Sequence, residues 1–224
     1  MRNKIESIEE LENIYYGPDK NGKNVSPEKI NKYEDWTRTK IISKIQEDEV
    51  KSLFDQLGPV KRIPKDQNKT YDFEIEGLAL IEVTSINTKL MGGKQDAKGN
   101  ISLNSLSDEN KLIERINRCI KHGVEKGSRE GYFKFLVIFY SADIYFIYKK
   151  LTNRLFDSNF IRKTNFCASS LNAMIFLPLR VGGNMKLPEP MGYTKEKEVA
   201  KLLNKIKGFK IKELGCEGIR NEEK

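Results

Sequence analysis

The chain has 224 residues, 38% apolar and 32% charged, which is long enough for one sizeable hydrophobic core. Forty lysines and arginines against 32 aspartates and glutamates leave a net charge of +8, a balance that favours an acidic partner such as nucleic acid. A single histidine, His122, excludes sites that need two imidazoles and moves any chemistry onto carboxylates, lysines and hydroxyls.

Cys119, Cys167 and Cys216 are far apart and form no C-x-x-C, so neither a disulfide framework nor a cysteine-based zinc site is expected. The N-terminal stretch lacks the apolar run of a signal peptide, and the apolar run at 135–140 is far shorter than the ~20 residues of a membrane span. A soluble, cytoplasmic protein is the expectation.

In chain order, Ser26-Pro27-Glu28 reads as a helix start, and a longer helix is predicted over 35–57, ended by Gly58-Pro59. The pattern then changes to alternation. Strands are predicted at 60–64, 71–76 and 78–86, the last two joined by a tight turn at Glu76-Gly77. Residues 87–107 carry glycines, asparagines and serines and read as a mobile excursion. A helix follows over 108–125, with Ser105 or Ser107 as its N-cap, and then a strand over 132–141 apolar enough to be buried on both faces. A mixed, helical segment (142–163), a strand (172–179) and a helix (195–206) complete the order. This predicts an α/β domain whose central mixed sheet is flanked by helices on both faces. One domain is expected, with 1–34 as a helical extension, 35–180 as the core and 181–224 as a basic helical part. Residues 1–60 carry ten basic and twelve acidic side chains, whereas 145–212 carry fourteen and four, so the positive charge is concentrated late in the chain.

The informative stretch is YDFEIEGLALIEVTSI (71–86). Glu82 falls in the middle of a strand that is apolar on both faces, where a carboxylate pays a large desolvation cost unless a cation or several donors compensate it. The tight turn brings Asp72 alongside. Two converging carboxylates repel each other, and either a divalent metal or a buried lysine or arginine relieves them. On the preceding helix, Glu49 lies inside the stripe of Ile42, Ile45, Val50, Leu53 and Leu57. On the following helix, Leu112, Ile116, Cys119, Ile120 and Gly123 form the packed face, bordered by a ridge of Lys111, Arg115, Arg118 and His122.

A helix glutamate, an aspartate on a hairpin strand and a glutamate two residues short of a polar position in the next strand resemble the PD-(D/E)xK, or restriction-endonuclease-like, nuclease superfamily. The resemblance covers about 35–141 and implies an α-β-β-β-α-β core. It further implies a Mg²⁺-dependent endonuclease, with Mn²⁺ able to substitute, acting on nucleic acid and on DNA in preference to RNA. Asp72 and Glu82 are then metal ligands, Glu49 assists, and the Val83 carbonyl adds a ligand. Lys89, Lys94, Lys111, Arg115 and Arg118 would contact the nucleic-acid backbone, and a homodimer suits cutting of both strands.

The pattern departs from the family at one position. The expected lysine of Glu-x-Lys is Thr84, whose hydroxyl holds water but supplies no charge. Cap-snatching viral endonucleases resemble this variant, with the lysine in the next helix, which makes Lys111 the candidate replacement and Lys89 its competitor. Three alternatives stay open: a non-catalytic nucleic-acid-binding protein that keeps the nuclease fold, a helical ribonuclease using Arg115 and His122, and a structural domain whose acids are salt-bridge partners.

Overall fold

A computed structural model describes residues 46–64, 70–86, 109–140, 157–178 and 189–216. Two compact units are present, one made of 1–52 with 180–187 and the other of 53–179 with 188–224. Of the first, only 46–52 are described, as helix. That helix, α1, runs over 46–54, with Gln46 and Val50 buried and Glu49 half-buried.

The second unit is built on a seven-stranded mixed sheet whose strands lie in chain order. Its strands are β1 (Val60–Arg62), β2 (Phe73–Ile75), β3 (Ala79–Ile86), β4 (Phe133–Tyr140), β5 (Ala173–Pro178), β6 (Met191–Thr194) and β7 (Lys210–Glu213). Its helices are α2 (Glu109–Val124), α3 (Ser158–Arg162) and α4 (Lys197–Leu203). β1, β2 and β3 pair antiparallel, while β3, β4 and β5 run parallel, with α2 carrying the chain from β3 to β4. β6 turns back antiparallel to β5, and β7 lies parallel to β6.

The β2–β3 hairpin forms where the change of period predicts it. Gly77 adopts φ 68°, a left-handed conformation that glycine enters without steric cost, and the chain reverses there. β4 has no exposed face, since every residue from Phe135 to Tyr140 is buried. Its even-numbered side chains Leu136, Ile138 and Tyr140 join Leu112, Ile116 and Ile120 of α2 and Ile86 of β3 in one apolar cluster. On the other face Phe135 stacks on Phe54 of α1, with ring centroids 6.0 Å apart. The sheet is therefore covered by helices on both faces, as the α-β-β-β-α-β order leads one to expect.

Two elements lie outside that expectation. β6 (MGYT) and β7 (KIKE) extend the sheet by two strands where a helical C-terminal part was expected. A Cβ on Gly192 would come within 2.5 Å of Ile211 Cδ1 and 2.8 Å of Phe209 Cζ, so the glycine admits these two side chains over β6. A second difference concerns cysteine. Cys167 and Cys216 form a disulfide with a Cα–Cα distance of 5.6 Å, and Cys119 is free and buried. Among the described residues, no helix is long and apolar enough to cross a membrane.

Candidate active site

The hairpin register, Phe73↔Ile81 and Glu74↔Leu80, carries Asp72 to the level of Glu82. The Val83 amide donates to Asp72 Oδ2 (2.9 Å), and the Asp72 amide donates to the Ile81 carbonyl (3.0 Å), so this carboxylate is fixed to the strand that carries Glu82. Glu82 itself is only 2% exposed. Burial, and next the charge of Asp72, push its carboxyl up to about 8, while Lys126 pulls in the opposite direction.

Both oxygens of Glu82 face basic groups. Lys126 Nζ stands 2.6 Å from Oε2, and His122 Nδ1 stands 3.1 Å from Oε1. Lys126 is 10% exposed and also donates to the Thr70 carbonyl (2.8 Å), two residues before Asp72. The Tyr71 hydroxyl donates to the Gly123 carbonyl (3.1 Å), and burial followed by the Glu82 charge pushes this phenol up to about 12. The C-terminal end of α2 is thus tied to residues 70–72 by two hydrogen bonds and to Glu82 by two cation–carboxylate contacts. Lys126 and His122 also lie where the helix dipole favours positive charge.

The two strand acids expected at the site, Asp72 and Glu82, converge. Thr84 lies on the same face of β3 as Glu82, but its hydroxyl meets the Cys119 sulfur at 3.9 Å instead of a cation. Lys111 is exposed in the first turn of α2, about 16 Å along the helix axis from His122 at 1.5 Å per residue. Arg118 is exposed and paired with Glu114, and Arg115 is half-buried. Glu49 belongs to the first unit, and Lys89 and Lys94 lie outside the described residues.

Two members of the constellation were not anticipated at the site. The sequence places His122 at the end of a surface ridge, and Lys126 lies beyond α2 in the turn that follows it. A signal for Lys126 was present. It follows Cys119 and Gly123 at i+7 and i+3, so the packed face of α2, continued one turn further, passes through it.

Among the described residues no group of three histidine, cysteine, aspartate or glutamate side chains is placed to hold a metal ion. The Asp72–Glu82 pair nevertheless fits a hard cation. Its donors are oxygens, and Mg²⁺ is commonly held by one or two carboxylates, with water and substrate phosphate completing the shell. Burial and the charge of Asp72 raise the Glu82 carboxyl, and Lys126 offsets them only in part. No protein-family model, curated protein or solved structure matches the chain.

Proposed function

We propose that the chain is a divalent-metal-dependent nuclease of the PD-(D/E)xK kind, which hydrolyses phosphodiester bonds with Asp72 and Glu82 as its acids and Lys126 as its lysine. The observation that carries this reading is the convergence of two carboxylates and one largely buried ammonium at a β2–β3 hairpin, with Lys126 Nζ 2.6 Å from Glu82. Thr84 stands where the family's strand lysine would be, and Lys126 brings an equivalent charge from the turn after the next helix.

In this reading Asp72 and Glu82 would hold Mg²⁺ or Mn²⁺. The bound ion supplies Lewis-acid polarisation of the phosphate and a water of lowered pKa. The chain's own residues have separate tasks. Val83 fixes the Asp72 carboxylate through its amide, and Lys126 fixes Glu82 while holding the Thr70 carbonyl. His122, 61% exposed at the side chain, is the solvent-facing member of the group. The substrate is nucleic acid, consistent with the net charge of +8, and the family resemblance favours DNA over RNA.

The test is cleavage of plasmid, single-stranded DNA and RNA in Mg²⁺ or Mn²⁺ by the parent beside Glu82→Gln and Lys126→Met. Cleavage by the parent alone is expected. Equal cleavage by parent and Glu82→Gln removes the assignment.

A second reading rests on a specific observation. Glu82 is 2% exposed and both its oxygens already face basic groups, as in a site where side chains stand in for a metal. A non-catalytic nucleic-acid-binding protein with a degenerate nuclease fold would bind DNA unchanged in the Glu82→Gln variant and cut nothing in any form.

A further inference from the structure

Glu82 is not the one hairpin acid to which the turn after α2 brings a cation. Residues 125–132 carry the chain from α2 to β4, and Lys126 stands near the start of this turn. Three residues on, Arg129 Nη1 lies 2.6 Å from Glu74 Oε1. The register Glu74↔Leu80 sets Glu74 on the same hairpin face as Asp72 and Glu82, about 7 Å along the chain direction from Asp72. One turn therefore meets two acids of one sheet face, Glu82 through Lys126 and Glu74 through Arg129.

The second contact belongs to a closed set of bonds. The Tyr132 hydroxyl donates to the same Glu74 oxygen (2.9 Å) and accepts from the Gly77 amide at the hairpin turn (3.0 Å). The Arg129 guanidinium lies over the Tyr132 ring, 5.0 Å from its centroid, and the Tyr132 amide donates to the Arg129 carbonyl (3.2 Å). Glu74 is half-buried, which sets this ion pair apart from one in open water.

This set holds a segment that has no core of its own. Residues 127–131 are Gly-Ser-Arg-Glu-Gly, all exposed, with no apolar side chain to pack. Its two glycines leave the backbone many alternative conformations, and ordering them costs entropy that burial does not repay here. Lys126 makes the same demand, since its stem is flexible. Its side chain is nevertheless only 10% exposed, with the ammonium on Glu82 and on the Thr70 carbonyl. α2 fixes the turn at one end, and the bonds to Glu74 and Gly77 fix it at the other.

We propose that Glu74, Arg129 and Tyr132 form a latch that positions Lys126 against Glu82. They are positioning residues, which act through Lys126 and touch no reacting atom. With the latch closed, the turn lies on the hairpin and the ammonium stays on the buried carboxylate. With the latch cut, the turn samples open conformations in which Lys126 exchanges Glu82 for water. The latch itself rests on the geometry of the turn; only its consequence for phosphodiester hydrolysis rests on the nuclease reading.

The test labels the lysines of the full chain with a brief pulse of acetic anhydride and maps the acetylated sites by mass spectrometry. The parent is compared with Tyr132→Phe, Arg129→Met and Arg129→Lys. Lys195, half-buried beyond β6 and bonded to the Ser169 carbonyl (2.6 Å), reports any general loosening. Arg129→Met is expected to raise labelling of Lys126 about tenfold and Tyr132→Phe about threefold, with Lys195 unchanged. Arg129→Lys keeps a cation for Glu74 and should return Lys126 to within about twofold of the parent. A second arm measures DNA cleavage in Mg²⁺, where kcat should fall in the same order while KM stays within about twofold. Lys126 freed in the variants, with no cleavage by any form including the parent, keeps the latch and overturns the nuclease reading. Lys126 freed with kcat at the parent's value removes the latch from the reaction. Labelling of Lys126 at the parent's rate in both Arg129→Met and Tyr132→Phe overturns the latch whatever cleavage does, and so does an equal rise at Lys195.

Discussion

Lys126 Nζ and Glu82 Oε2 are 2.6 Å apart in a setting where the acid is 2% exposed and the lysine side chain 10%. Above about pH 8, where Glu82 is ionised, removing Lys126 leaves a buried carboxylate without compensation, a change that typically costs about 3–5 kcal/mol, and at lower pH the carboxyl is neutral and the cost smaller. Lys126→Met should therefore lower stability in urea unfolding and abolish cleavage. The double variant Glu82→Gln/Lys126→Met is expected to recover much of the lost stability without recovering cleavage, because the stranded charge is gone. Calorimetry provides a separate readout. A Lys126→Met site left with two acids and no lysine should bind Mn²⁺ more tightly than the parent, and weaker binding would count against a shared cation position.

The proton on Glu82 sets the sign of a pH effect. Its folded-state carboxyl is raised from 4.5 to about 8, so the native state holds a proton that the unfolded chain releases. Stability contributed by this group is therefore greatest below about pH 4.5, falls as pH rises towards 8 and is level above that. Glu82→Gln keeps the shape and cannot ionise. Relative to the parent, its melting temperature should improve steadily from pH 5 to pH 8 and then stop changing. A difference between the two that does not vary with pH would contradict the raised pKa.

Asp72 acts on Glu82 by charge and on Val83 by a hydrogen bond, and substitutions separate the two effects. Asp72→Asn removes the charge and keeps an acceptor for the Val83 amide. It should cost no more than about 1 kcal/mol of stability and lower the apparent pKa of Glu82, followed by carboxyl NMR. Asp72→Ala leaves the amide without its partner and should cost about 1–3 kcal/mol. Both variants should lose metal-dependent cleavage. An unchanged Glu82 titration in Asp72→Asn would show that burial alone sets the shift.

The sheet and the two strand acids were legible because each rests on a local signal. Alternation in 71–86, the Glu76-Gly77 turn and the apolar run at 135–140 act over a few residues, and each corresponds to a described element. The lysine was legible only in part, since the packed face of α2 continued past its end passes through Lys126. Lys126 lies past the end of α2, and its partner is fixed by how the chain returns from β3 to β4, which no local pattern encodes. One imidazole excludes a two-histidine metal site, but it does not exclude an imidazole 3.1 Å from the buried acid. β6 and β7 escaped because four-residue strands containing Gly192 or three charges carry little period; the burial of β6 comes from packing by Phe209 and Ile211, and β7 is largely exposed.

The Cys167–Cys216 disulfide joins two half-buried residues that spacing alone does not pair, closing a stretch with a sequence separation of 49. That stretch contains β5, β6, α4 and β7, so the bond ties the last strand of the sheet back to the segment before β5. Closing a loop of this size restricts the unfolded chain, and the chain-entropy estimate is about 4 kcal/mol. None of the residues around Glu82 lies within the closed loop. Cys216→Ser, or reduction of the parent, is therefore expected to lower the melting temperature by several degrees and to leave the Glu82 titration and any cleavage below the melting transition unchanged. Thiol counting on the unfolded, non-reduced protein should find one reactive cysteine, Cys119, and three would show that the bond is absent. Loss of the Glu82 titration on reduction would mean that the C-terminal strands help to hold the site, against the division of labour in which α2 and the β2–β3 hairpin alone position it.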